Sequence, residues 1–402
     1  MYIWVLKLNV LTLNPMSKYL FIVALCACSW LRAQNVVWKP QVEMGGQLFP
    51  SYLLATATAD LFDTSEPTPF WLGDPNGMLG IEITNPLKDS KIKLEIRVPQ
   101  LTEGVSIYEG VLSQKGEDYL VFPDIKYDYV LLGNMVQPKP VNATFTLFIN
   151  GKRIGEQTKR VAVRAVSDCP YAYTDLDEHD QDISWMFAAF VNENHPVVDQ
   201  VLKEALATKL VNSISGYQAK DPAEVYKQVF AIWTVFQNKG IKYSSITRAS
   251  GESDNVISQT VRPMSESLKA VQANCVDGSV LFASILRKIE IDPFLVLVPG
   301  HCFLGFYLDE EHKDFEVLET TMLGETDPGK TNKEADEIYK DLFGGKTTFL
   351  KNWRVFSAAI ESANATYDEN KAVLENEKNT DMQYQFIEID DWRKMGVTPI
   401  NR

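Results

Sequence analysis

Cys275, His301 and Glu319 lie within 45 residues of one another and carry the side chains that acyl transfer needs. Asn274-Cys275 stands before an apolar run (Val280, Leu281, Ala283, Ile285, Leu286) with the spacing of a buried helix. Cys275 would then sit at the helix start, where unpaired amide N–H groups and the positive dipole end favour thiolate over thiol. Phe294–Val298 and His301–Leu308 flank Pro299-Gly300, which predicts a hairpin with His301 at its turn end; Phe315–Thr321 predicts a further strand carrying Glu319. A thiol, an imidazole and a carboxylate in that order suit a cysteine nucleophile. The thiolate attacks an amide carbonyl, the imidazole moves the proton to the leaving amine, and the carboxylate orients the ring and stabilises the imidazolium. Singly, each residue has a plainer reading: a cysteine at a helix start is often a small core residue, and a histidine beside a turn is often structural. With four histidines in the chain, the joint placement is the signal.

The elements that must hold these groups divide near residue 170. From about 40 to 167 the pattern is β: Leu79–Thr84, Lys91–Val98, Tyr119–Val121, Tyr127–Leu132 and Ala143–Ile149 are rich in β-branched and aromatic residues. Lys91–Val98 alternates polar and apolar strictly, and Asn150-Gly151 is a two-residue hairpin turn between Thr144–Ile149 and Arg153–Arg164. Short strands with turn signals predict a β-sandwich, immunoglobulin-like, over 35–168. Residues 169–180 read as a linker, with the acidic Asp175–Asp180 as a solvated run. From 181 onwards helices appear: one follows Pro196, one is capped by Asp221-Pro222 and stopped by Gly240, and charged surface helices are expected near 332–343 and 356–375. The fold class is therefore α+β: a β-sandwich followed by an α+β domain over 181–402.

Four segments together resemble the bacterial branch of the transglutaminase-like superfamily. They are Gln259-Thr-Val-Arg262-Pro263-Met-Ser265-Glu266, Asn274-Cys275-Val-Asp277-Gly-Ser, Val298-Pro-Gly300-His301-Cys-Phe303 and Leu318-Glu319-Thr-Thr. The likeness extends to Asn194-His195-Pro196, Gly216-Tyr217-Gln218, Asp221-Pro222, Gly240-Ile241-Lys-Tyr243 and the tail at 387–400, so it covers roughly 180–400. It implies a papain-like α+β fold with Cys275 as nucleophile and His301 as general base. The usual third member is Asp; here the matching strand offers Glu319, one methylene longer, with Asp314 and Glu316 ranked below it. Gln259 lies where this branch often has Gln and is the candidate oxyanion donor. The implied function is amide or peptide hydrolysis, or acyl transfer, through a Cys275 thioester. The alternative is a transglutaminase-like module without catalysis, serving as a binding or scaffold part of the cell envelope.

The remaining residues bound the partners. Asp277 reads as a structural first-turn carboxylate, Cys302 as core, and His195 as a loop or packing residue. Zinc on Cys275, His301 and Cys302 has poor ligand spacing, and no oxygen-rich calcium loop stands out, so no metal or cofactor is expected. Residues 1–34 hold Lys7, Lys18 and Arg32 and no acid, with an apolar run from Tyr19 to Leu31 and Arg32-Ala33 after it. That predicts a signal peptide cut after Ala33, with lipidation at Cys28 or an uncleaved membrane anchor as the alternatives. Cys169, Cys275 and Cys302 would remain after cleavage, an odd count that leaves a free thiol. The formal charge is −14, and −17 without residues 1–34. Such a chain repels phosphate backbones, which argues against nucleic acid; the expected partner is a peptide, protein or cell-wall amide met outside the cytoplasm.

Overall fold

A computed structural model describes residues 36–59, 61, 70–74, 76–176, 178–245, 253–326, 333–376 and 378–400. The expected signal peptide and Cys28 lie outside these residues. No described helix is long and apolar enough to cross a membrane.

The chain is α+β. Its first part forms two sheets. One runs in the order Gln47–Leu48, Lys152–Val163, Lys139–Ile149, Ser90–Arg97, Val105–Leu112; the other runs Trp38–Val42, Leu79–Thr84, Asp118–Phe122, Trp71–Gly73. Alternation in Ser90–Arg97 buries Ser90, Ile92, Leu94 and Ile96 and leaves the lysines wetter, and these apolar side chains share one core with Leu79, Ile81, Ile83 and Val121. The Lys139–Ile149 and Lys152–Val163 strands meet at Asn150-Gly151, with φ of 49° and 78°; both are left-handed, as the tight hairpin turn requires.

Two expectations need correction here. Tyr127–Leu132 is not a strand: Tyr129–Gly133 is a short helix, because the Asp128 carboxylate caps it by accepting from the Leu131 N–H at 2.9 Å. Within the stretch read as a linker, Asp168–Thr174 is a strand that pairs antiparallel with Val256–Thr260, and Asp180–Asp182 pairs on its other side. The apolar core continues across this junction, and the tail ties back, with Thr398 N–H donating to Ala55 O and Ile400 N–H to Ala189 O.

The second part is built around an antiparallel sheet in the order Phe315–Leu318, His301–Tyr307, Pro293–Val298, Gln385–Glu388. The central strand Pro293–Val298 is buried at all six positions, since both faces are covered. Leu295, Leu297, Leu304 and Phe306 face the core that holds the helix Cys275–Lys288; Phe294, Val296, Phe303 and Val317 meet Ala363 and Tyr367 of the helix Leu350–Leu374. This last helix was expected as a charged surface element from 356. It starts six residues earlier and is a core helix: Trp353 and Phe356 pack among Tyr226, Phe230 and Tyr339. Its polar face dominates the composition, and its 3.6-residue apolar stripe does the packing.

Candidate active site

Cys275 opens its helix through a capping box. The Asn274 side chain accepts from the Asp277 N–H at 2.7 Å, and the Asp277 carboxylate accepts from the Asn274 N–H at 3.2 Å and from the Arg262 N–H at 2.7 Å. Burial pushes the Asp277 carboxyl up, although those N–H donors oppose the shift. Cys275 itself is only partly buried. Two hydroxyls hold the Cys275 carbonyl: Ser279 donates at 2.8 Å and Thr320 at 3.5 Å.

His301 begins its strand opposite Val298, with Gly300 at φ 72° making the turn between them. Its Nε2 lies 2.5 Å from Glu319 Oε2, and Cys275 lies near enough to the ring to act on its pKa. A carboxylate only accepts, so Nε2 carries the hydrogen towards Glu319 and Nδ1 is left to serve the sulfur. Hydrogen bonding to Cys275, and then to Glu319, outweighs burial and pushes the His301 pKa from 6.5 up to about 10.

Glu319 does not lie on the strand. The strand ends at Leu318, and Glu319 caps the turn Thr320–Met322, its Oε1 accepting from the Thr321 N–H at 3.0 Å and the Thr321 hydroxyl at 2.5 Å. One carboxylate oxygen thus anchors the turn while the other faces His301. Burial works to raise its pKa, but donors from His301 and Thr321 outweigh it and hold the carboxyl below its usual range. The lower-ranked acids go elsewhere: Glu316 accepts from Asn364 at 2.9 Å, and Asp314 sits in the turn after the His301 strand, its N–H donating to Asp309.

Gln259 shares a strand face with Ile257, and both line a cavity of about 330 Å³ that also reaches Cys275 and His301. Gln259, Cys275 and His301 are therefore brought together, with Glu319 buried behind the ring. Cys302 also reaches this cavity wall, but burial, and then the nearby Cys275, push its thiol well up. His195 caps the helix Pro196–Ala207, its Nδ1 accepting from the Val197 N–H at 3.2 Å. Among the described residues no group of three His, Cys, Asp or Glu side chains is placed to hold a metal ion.

Tyr171, Phe187, Met382 and Gln383 complete much of the cavity wall. Tyr243 stands close enough to Cys275 and Glu319 for their charges, after burial, to raise its pKa. No local pattern singles these residues out, because four separate chain segments bring them together.

A glycine sets the distance between the Cys275 helix and the Glu319 turn. A Cβ on Gly278 would lie 2.6 Å from Thr320 Oγ1 and 2.9 Å from Thr320 Cβ. Gly278→Ala gains helix propensity, on the order of 1 kcal/mol, yet must push the turn and its carboxylate away from His301. We expect turnover to fall at least about tenfold, given the cost of small misplacements, with the far-ultraviolet circular dichroism unchanged. Wild-type turnover in this variant would mean that the turn does not position Glu319.

No family model matches the chain, and no curated protein matches it.

Proposed function

We propose that the chain is an exported cysteine enzyme of the transglutaminase-like kind that cleaves amide bonds through a Cys275 thioester. In this reading the first part is an immunoglobulin-like sandwich and the second a papain-like domain. The observation that carries it is the chain of contacts Cys275–His301–Glu319 on the wall of an open cavity. The makeup of residues 1–34 supports export, and the acidic charge supports a substrate other than nucleic acid.

The Cys275 sulfur attacks the carbonyl carbon, and a C–S bond forms as the carbonyl π pair moves to oxygen. The Cys275 N–H, at the first helical position where the helix itself supplies no partner, and the Gln259 amide are the donors proposed for that oxyanion. As the oxyanion collapses, the C–N bond breaks and Nδ1 of the imidazolium gives its proton to the departing amine. Water then attacks the thioester, neutral His301 takes its proton, and the acid leaves with the thiolate–imidazolium pair restored. Water is always present, whereas cross-linking needs a second cleft for an amine, so hydrolysis is the reading adopted.

The test is labelling of the mature protein with a thiol-directed peptide probe, followed by mapping of the adduct. Cys275 should react at least about a hundredfold faster than Cys169 or Cys302, whose thiols are buried with their pKa values raised well above normal. Equal, slow labelling of all three would end the proposal.

A further inference from the structure

A second cavity, in the first part, is remote in sequence from Cys275 and plays no part in the chemistry above. It holds about 620 Å³ and is walled by Asp74, Asp124, Glu109, Tyr108, Tyr127 and Tyr129, within the range of ordinary ligand sites. Its chemistry is one-sided. Residues 40–87 contain no Lys or Arg. Among the described residues no basic side chain pairs with Asp74 or Asp124, and the Asp74 carboxyl is pushed up by burial, with Asp124 adding to the shift. Glu109, on the rim, has a distant partner in Lys93 at 3.8 Å.

Independent of the carboxylates, two polar atoms here are left unsatisfied. Tyr127 is 8% exposed and its hydroxyl has no hydrogen-bond partner among the described residues; the buried Oδ1 of Asn76, also on the wall, has none among them either. Asp74 accepts from the Asn76 backbone N–H at 2.9 Å, which holds its carboxylate beside the Asn76 main chain. A buried orphan of this sort costs about 1–3 kcal/mol, a cost that a bound donor removes. Among the described residues the acids do not converge on a metal position, so a small hard cation is a poor fit. The carboxylates and Asn76 Oδ1 only accept, and the Tyr127 oxygen can accept too, so the set suits a ligand that donates, carries positive charge and has a carbon body to lie on the tyrosines. An ammonium group on an alkyl chain has three donors and no acceptor, and its charge is attracted by aromatic faces.

We propose that this cavity binds a primary alkylammonium group, as on a lysine side chain or a free diamine, with Asp74 and Asp124 as counter-charges and Tyr127 Oη and Asn76 Oδ1 as acceptors.

Calorimetric titration of the full chain tests it with four probes: Nα-acetyl-lysine methylamide, its Nε-acetyl derivative, cadaverine and calcium chloride. Binding of either ammonium probe, weakened at least tenfold by Nε-acetylation or, for cadaverine, in Asp124→Asn, is the expected result; whichever ammonium binds tighter identifies the source. Asp74→Asn should act like Asp124→Asn, and Tyr127→Phe should weaken binding several-fold. Equal binding of the neutral derivative, calcium in preference to both ammoniums, unchanged affinity in Asp124→Asn, or no ammonium binding at 10 mM (about ten-thousandfold above a Kd of about 1 μM) would each overturn it. Cys275→Ala should bind the probes as wild type does, so this outcome is separate from the fate of the catalytic proposal.

Discussion

Cys275→Ala should lower amide turnover by about four orders of magnitude or more and leave the fold intact. The fold should survive because the helix start is held by Asn274 and Asp277, not by the sulfur, and Cys275 is only partly buried. Without the thiolate no thioester forms, and only the weak effect of binding and oxyanion donors remains. His301→Ala should cost nearly as much, since the imidazole both protonates the leaving amine and activates the water. The double variant should be no slower than the worse single one, because groups that act as a unit are not additive. Single-turnover release of amine from a fluorogenic peptide, together with thermal unfolding of each variant, is the measurement. Losses that add in the double variant would mean that the two residues work separately; unchanged turnover in Cys275→Ala would place the chemistry elsewhere.

What the sequence made legible was mostly local chemistry. Asp221-Pro222, Pro196, Asn274 and Asn150-Gly151 each act within a few residues, and each marks an element boundary in the structure. Where a local signal competed with composition, composition misled. Tyr127–Leu132 carries strand-forming residues, yet one Asp128 hydrogen bond settles it as a turn of helix. The helix Leu350–Leu374 carries many charges, and its buried stripe is visible only when partners such as Phe230 and Tyr339 are in place. At the candidate site the order of Cys275, His301 and Glu319 could be read along the chain, but their approach depends on a sheet and two helices. The Thr321 anchor of Glu319 and the clearance at Gly278 are facts of tertiary packing with no pattern of their own. The 169–174 segment looked like a linker because its pairing strand lies about 80–90 residues away, at Val256–Thr260.

Glu319→Gln asks whether a glutamate in this position completes the site, and the expected answer is a loss of about three to four orders of magnitude in turnover. The carboxylate accepts from His301 Nε2–H, which leaves Nδ1 free to take the thiol proton. An amide can keep the Thr321 contact through its carbonyl, but then its NH2 faces Nε2 and donates. Neutral His301 must move its hydrogen to Nδ1, the nitrogen that serves the sulfur, and can no longer act as base. The pH profile separates this from a mere loss of packing. With His301 held at about 10, the imidazolium persists through neutrality, and wild-type activity should fall only as pH rises through that value. Removing the Glu319 charge removes one cause of the upward shift, so the alkaline limb should move down towards the ordinary histidine value. Glu319→Asp draws the carboxylate back by one methylene from a contact of 2.5 Å, beyond hydrogen-bond reach unless the turn follows. It should sit between wild type and Glu319→Gln in rate and keep part of the alkaline shift. A Glu319→Gln enzyme with full turnover and an unmoved alkaline limb would leave Glu319 as a cap on its turn and nothing more.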